Sequence, residues 1–245
     1  MVLIVAAIAG PLLDSYSLSV LSLIAAYVVF AVGYNILMGV AGQFDFGQGA
    51  FLGIGAYTMA ILETRYSVPF AAALPLAGCA TVIAGLAIGV VVLRLSGFYL
   101  ALVTLGFNQT LVLGIALASG VTGGFQGLSV PAPSLGNIPG NLLLFYIAVA
   151  IAVLFSQAAV NLLRSRVGLA FLAMRERDVA SQAMGVNLTR HRIMAYGLSA
   201  FYDGIAGGLM AVLISYITPD QFGFLETLKV LTMITVGGMG PSAAR

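Results

Sequence analysis

Charged residues are scarce in this chain: ten basic and eight acidic side chains among 245 residues, 7% of the total. Soluble domains carry about a quarter of their residues as charges, so a water-facing surface for a fold of this size is excluded. Cysteine is reduced to Cys79, inside the apolar run ALPLAGCATVIAGL. That excludes an intramolecular disulfide and reads as a buried packing residue. The single histidine, His191, has neither a second histidine nor a cysteine near it, so neither a metal site nor a cofactor is expected. No GxxxxGK[ST] phosphate loop is present, so any ATP hydrolysis must belong to another chain. Nucleic-acid motifs are also missing, and the arginines are not interleaved with aromatic residues; no nucleic-acid partner is expected. The start, MVLIVAAIAGPLLD, lacks the basic region of a signal peptide and falls short of the ~20 apolar residues of a full span. It reads as the remnant of a first helix, or as a helix beginning at the membrane surface.

What is abundant is apolar sequence, 61% of the chain. Residues 17–40, 69–93, 98–119, 141–163 and 193–216 form long apolar runs, with shorter pieces at 50–62 and 227–240. Runs of about 20 residues suit helices crossing a bilayer, whereas barrel strands would alternate and be half as long. The expectation is an all-α polytopic membrane protein, a bundle of about 7–8 membrane segments forming a single domain over 1–245. Six of the ten basic residues (Arg164, Arg166, Arg175, Arg177, Arg190 and Arg192) fall in one loop. Arginine is retained on the cytoplasmic side, which puts 164–192 there. Counting spans then puts the N-terminus, Arg94 and Arg245 on the same side. Glu63, Arg65, the 120–140 loop, Asp220, Glu226 and Lys229 fall outside. The GxxxG-spaced pairs Gly49/Gly53, Gly85/Gly89 and Gly204/Gly208 are candidates for close helix contacts.

Polar residues inside apolar segments are costly unless they have a role. The candidates for a translocation pathway are Asn35, Gln43, Asp45, Gln48, Asn108, Gln109 and Asp203. Asp45 lies in the Gly-rich break AGQFDFGQG, which reads either as a wet surface loop or as a discontinuous helix lining a path. Asn35, Asn108 and Gln109 fit interhelical hydrogen bonding better than solute contact. Asp203 sits mid-span, where a charge needs a partner or water. In the arginine-rich loop, Leu169, Leu172 and Ala173, then Val179, Ala183 and Val186, recur at helical spacing. Two short amphipathic helices follow from that, resting on lipid headgroups or docking a cytoplasmic partner.

From Arg166 to Gly208 the chain reads RVGLAFLAMRERDVASQAMGVNLTRHRIMAYGLSAFYDGIAGG, and this resembles the EAA-type loop of the LivM/LivH permeases. Those are the membrane subunits of branched-chain amino acid ABC importers. NILMGVAGQFDFGQGAFLGIGAY (35–57), FYLALVTLGF (98–107) with TGGFQGL (122–128), and VLTMITVGGMG (230–240) resemble the same family in the same order, closer to its LivM type. The resemblance implies a permease, not an enzyme, translocating branched-chain, hydrophobic amino acids across a bacterial or archaeal cytoplasmic membrane. Its implied partners are a LivH-like second permease subunit, two cytoplasmic ABC ATPase subunits and an extracytoplasmic solute-binding protein. It implies that Gly168, Arg175, Glu176, Ala180 and Gly185 seat the cytoplasmic coupling loop in a groove of the ATPase. ATP-driven closure there would convert an outward-open path to an inward-open one.

The chain departs from the family at three places. Where the family reads close to GQ-SLGH-AF, this chain has GQFDFGQGAF, so Asp45 and Gln48 replace a small polar residue and a histidine. Asp203 also replaces a small residue. After GGMG the family continues for about two more spans, so the resemblance implies that C-terminal spans are missing beyond about residue 240. Related permeases carry urea, which keeps a small polar solute open as the cargo. A proton- or sodium-coupled carrier using Asp203 and Asp45, and a non-transporting membrane scaffold, also stay open.

Overall fold

The computed structural model describes residues 14–93, 95, 97–131, 140–176 and 187–238. The stretch before Asp14, Arg94, Ala180, Gly185, the second helix expected in the arginine-rich loop and the PSAAR end lie outside the described residues. Helix α1 (Ser15–Tyr34) runs directly into a π-helical turn, Asn35–Val40, and the two make one 26-residue span. It is followed by α2 (Gln48–Tyr66), α3 (Phe70–Val92), α4 (Phe98–Leu117) and α5 (Gly140–Leu163), then α6 (Arg166–Glu176), α7 (Leu188–Ile214) and α8 (Phe224–Gly237). Five of these, α1 with its π turn, α3, α4, α5 and α7, are long and apolar enough to cross a membrane. The shorter apolar pieces expected at 50–62 and 227–240 form α2 and α8, which fall below that measure. The structure is that of a polytopic helical protein.

Burial follows helical spacing. On α1 the residues Leu18, Ser22, Ala25, Val29 and Phe30 make one buried stripe, while Val20, Ile24 and Val28 on the other side are exposed and equally apolar. A helix that is apolar on both faces, with one left open, suits a lipid boundary. Helix α7 is different, buried around almost its whole circumference from Ala195 to Val212. It is the central post, and α1, α2 and α3 pack around it. The N-terminus of α7 is closed by Asn187, whose side chain accepts from Arg190 N–H at 3.0 Å.

Glycine permits the close approach. A Cβ on Gly55 would sit 2.5 Å from Gly204 Cα, so α2 and α7 meet backbone to backbone. All three glycine pairs read from the sequence lie where a Cβ would be crowded, several of them by side chains rather than backbone. Gly49 and Gly53 face Phe222, Gly85 and Gly89 face α7, and Gly204 and Gly208 face Thr81 and Leu74 of α3.

The two ends of α7 are built differently. At its C-terminal end the short strands β1 (Leu128–Ser129) and β2 (Tyr216–Ile217) pair antiparallel, Leu128 opposite Ile217. Arg65, closing α2, donates to the Gly120 carbonyl at 2.5 Å. The other end carries α6. Cys79 is exposed rather than buried. The apolar run around it misleads, because α3 presents apolar residues to both the bundle and its outer face.

Candidate functional site

A chain that leaves the helix inside an apolar bundle must find partners for its freed backbone groups. Residues 41–47 do so. Ala41 and Gln43 N–H donate back to Ile36 and Leu37 carbonyls at 3.0 and 3.1 Å, extending the wide π spacing. Phe46 N–H donates to Thr104 Oγ1 of α4 at 3.0 Å. The Phe46 carbonyl accepts from Asn108 Nδ2 at 3.3 Å and from Thr227 Oγ1 of α8 at 3.4 Å. Gly49 N–H, in the first turn of α2, donates to the same Thr227 oxygen at 2.9 Å. The start of α2 therefore meets the start of α8. A Cβ on Gly49 would lie 2.7 Å from the Phe222 carbonyl oxygen and 2.9 Å from that of Gly223, and the Phe46 and Phe224 rings meet edge to face at 5.5 Å.

Asn108→Leu removes a donor from the Phe46 carbonyl and leaves Thr227 short of a neighbour. It is expected to lower stability by about 0.5–1.5 kcal/mol, the scale of an interhelical side-chain hydrogen bond in a membrane protein. Gln109→Leu, on the exposed side of α4, is expected to be near neutral. Thermal unfolding of the two variants side by side checks this, and equal shifts would contradict the seating role.

Asp45 is fully buried, which overturns the wet-loop reading. Its Oδ1 accepts from Gly47 N–H at the start of α2, where a carboxylate is favoured by the helix's unpaired N–H groups. Its backbone carbonyl accepts from Tyr34 Oη at 2.5 Å. Gln48 and Tyr196 lie beside its carboxylate, and Gln48 Oε1 accepts from Ser199 Oγ at 2.9 Å. Tyr196, Ser199 and Asp203 occur three and four residues apart on α7, and so on one face. Asp203 is also fully buried, and a Cβ on Gly33 of α1 would lie 3.0 Å from its Oδ1.

Of the pathway candidates, Asp45, Gln48 and Asp203 are brought together, and Asn108 joins the seat of the break. Gln43 is buried beside it, with Nε2 donating weakly to Ala41 O at 3.4 Å. Asn35 opens the π turn. Gln109 stands apart on the exposed side of α4 and is not part of the cluster. Sequence reasoning misses Thr104, Thr227, Tyr34, Tyr196 and Ser199. The helical spacing of Tyr196, Ser199 and Asp203 is the signal that could have found part of that set.

Toward the C-terminal end of α7 lies a cavity of about 330 Å³, walled by Leu52, Met210, Ile214, Phe222 and Leu225. Its polar lining is Tyr27, Asp220, Gln221, Glu226 and Lys229. Glu226 is nearly buried and accepts from Tyr27 Oη at 2.5 Å and from Lys229 Nζ at 2.6 Å. At the other end, α6 lays its last-turn Arg175, an exposed residue, against the π turn. Its Nη1 donates to the Gly39 carbonyl in the π turn, and its stem packs on Gly42, whose φ of +70° suits only glycine well. The buried side of α6 is Phe171 and Met174, whereas Leu169, expected on the apolar face, is 61% exposed. Gly168 fits the tight turn from α5, where a Cβ would lie 2.6 Å from Leu163 Cα. Glu176 ends α6. His191 Nδ1 lies 2.8 Å from Asn187 O, and its ring meets Phe171 edge on.

Known proteins match along the whole chain. It is 34% identical to the high-affinity branched-chain amino acid transport system permease protein LivM of Salmonella typhimurium, over 100% of this chain and 64% of the relative. To LivM of Escherichia coli it is 33% identical, over 99% of this chain and 63% of that protein. To the permease protein BraD of Pseudomonas aeruginosa, of the same transport-system description, it is 24% identical, over 87% of this chain and 75% of BraD. The chain thus spans less than two thirds of the length of the two LivM relatives. No solved structure matches it. The profile described as branched-chain amino acid transport system / permease component matches residues 16–244. With its apolar spans, its buried break and that match from end to end, the chain belongs to the branched-chain amino acid transport system permease family.

Proposed function

We propose that this chain is a membrane-spanning permease subunit of an ABC importer, moving branched-chain, hydrophobic amino acids across the cytoplasmic membrane. Two cytoplasmic ATPase subunits hydrolyse the ATP, a second permease completes the path, and an extracytoplasmic binding protein delivers the solute. The arginine-rich loop faces the cytoplasm, as the positive-inside rule requires. The observation carrying this reading is the break at 41–47, which buries Gln43 and Asp45, is contacted at Gly42 by the loop helix α6 and is seated at Phe46 on α4 and α8. Unwound backbone inside a bundle is tolerated where it is held by protein or lines a path. The cavity at the opposite end of α7 favours an amino acid over urea. Its walls are largely apolar, which suits an aliphatic side chain, and its charges, Asp220 and the Glu226–Lys229 ion pair, stand at one side.

Reconstitution with the ATPase pair, the second permease and the binding protein tests the whole assignment. Uptake of labelled leucine is expected to require ATP and all partners. Uptake driven by a proton or sodium gradient without ATP would overturn the importer reading, and uptake of urea in place of leucine would overturn the solute. Docking is tested separately. The double variant Glu176→Arg with Ala180→Arg is expected to lose co-purification of the ATPases, and undiminished recovery would refute that contact.

A further inference from the structure

Between α5 and α7, on the half of the bundle that carries α6, lies a second cavity of about 310 Å³. Its floor is aromatic. Phe155 stacks on Phe201 at 5.8 Å and meets Tyr202 edge to face at 4.8 Å. The Tyr202 hydroxyl is the only polar side-chain group in the lining, and it donates to the Phe155 carbonyl at 3.0 Å. No donor is left for an occupant, so the occupant at this depth is hydrocarbon. Leu154 and Ala158, on the wall from α5, are exposed, and the groove therefore opens onto the outer face of two membrane-spanning helices.

Polarity rises toward the end of α5. Gln157 and Asn161, exposed and one turn apart, join by a hydrogen bond of 3.2 Å. Leu162, the last lining residue of α5, leads straight into a tight turn. Arg164 N–H donates to the Val160 carbonyl at 3.2 Å, and Ser165 Oγ donates to the Leu162 carbonyl at 2.6 Å. That turn keeps Arg164 and Arg166 close to the end of the groove. On α7, Arg190, Met194, Leu198 and Phe201 recur at helical spacing, which sets Arg190 on the same side, about 12 Å along the helix from Leu198. Arg164, Arg166 and Arg190 are all exposed, and among the described residues none of the three forms an ion pair.

A bilayer offers two hydrocarbon occupants, a helix of another chain and a lipid, and size and charge separate them. One turn of helix with its side chains fills roughly 400 Å³, more than the cavity holds. An acyl chain is narrower, and its lipid places ester groups and then phosphate where the amides and then the arginines stand. Guanidinium groups bind phosphate through paired donors. We propose that the groove between α5 and α7 holds one acyl chain of an anionic phospholipid, whose phosphate is taken by Arg164, Arg166 and Arg190. This rests on the chain's crossing a bilayer, and not on which solute it carries.

Native mass spectrometry of the full chain in detergent, titrated with dioleoyl phosphatidylglycerol or dioleoyl phosphatidylcholine, tests the site. Phosphatidylglycerol is expected to fill one tight site per chain at a concentration about tenfold below that of phosphatidylcholine. Ala158→Phe, which fills the groove from an exposed position, is expected to weaken that binding by about tenfold. Ala72→Phe, on the exposed side of α3, leaves it unchanged. Replacing Arg164, Arg166 and Arg190 together by Gln is expected to abolish the preference for phosphatidylglycerol while phosphatidylcholine still binds. Equal titration by the two lipids in the unmutated chain would overturn the proposal. So would an unchanged preference in the arginine variant, or unchanged tight binding in Ala158→Phe. A dimer that forms without lipid and is lost in Ala158→Phe would give the groove to a second copy of the chain and also overturn it. Should Ala158→Phe not fold, the arginine variant, changed only at exposed positions, decides alone.

Discussion

Gly207→Val is expected to abolish recovery of folded protein, while Gly114→Val leaves it unchanged. Gly207 lies on α7 where the backbone of α2 passes closest. A Cβ there would overlap the Leu52 carbonyl oxygen and approach Ala56 N to 3.0 Å. Both obstacles are main chain, so no rotamer change relieves them. The helices must separate, and with them the neighbouring contact of Gly55 with Gly204. Overpacking a well-fitted core costs about 1–3 kcal/mol for side-chain clashes, and a backbone clash belongs at or above the top of that range. The loss would spread, because α2 carries Gln48 to Ser199 and Gly49 to Thr227. Gly114, on α4, has open space among the described residues where its Cβ would point, so valine there makes the same change without the clash. Size-exclusion profiles of the two variants decide the matter. Equal monodisperse peaks would mean that α2 and α7 do not meet backbone to backbone.

Much of this architecture is legible in the amino-acid sequence. Long apolar runs announce the helices, because lipid removes the alternation that would otherwise mark an exposed face. The same feature hides the orientation of individual residues. Asn108 and Gln109 are adjacent amides in one apolar helix, and only Asn108 faces the break. The buried Ala101, Thr104 and Asn108 repeat every three to four residues. That phase is faint when the lipid side is also apolar. Cys79 misleads for the same reason. The break itself is visible, since Gly, Gln and Asp interrupt a hydrophobic stretch. Its seat is not, since Thr104 and Thr227 look like ordinary threonines until α4 and α8 are brought against residue 46. Asp203 stands out as a mid-span acid. Its association with Asp45, however, depends on the long stretch of chain between them folding back, and no local pattern records that.

Arg175→Ala is expected to leave the ATPases bound and hydrolysing while transport falls by about tenfold or more, the effect of losing a charge-assisted hydrogen bond worth about 1.5–3 kcal/mol. The resemblance implies that Arg175 faces the ATPase groove. The geometry gives it a second partner, the Gly39 carbonyl in the π turn, with Gly42 closed onto its stem. Carbonyls at the end of a helix lack N–H partners from the next turn, so a guanidinium is well suited to hold one. A displacement of α6 by a docked ATPase would then pull on the π turn that leads into the break, without crossing the rest of the bundle. Arg175→Lys keeps the charge and one donor but loses the planar fork, and it is expected to restore transport in part. The two roles separate in one experiment, in which ATPase co-purification, ATP hydrolysis and solute uptake are measured on the same reconstituted complexes. Uptake falling while binding and hydrolysis persist supports a link from α6 to the break. Uptake falling only in proportion to ATPase binding would make Arg175 a docking residue and leave its contact with Gly39 without a part in coupling.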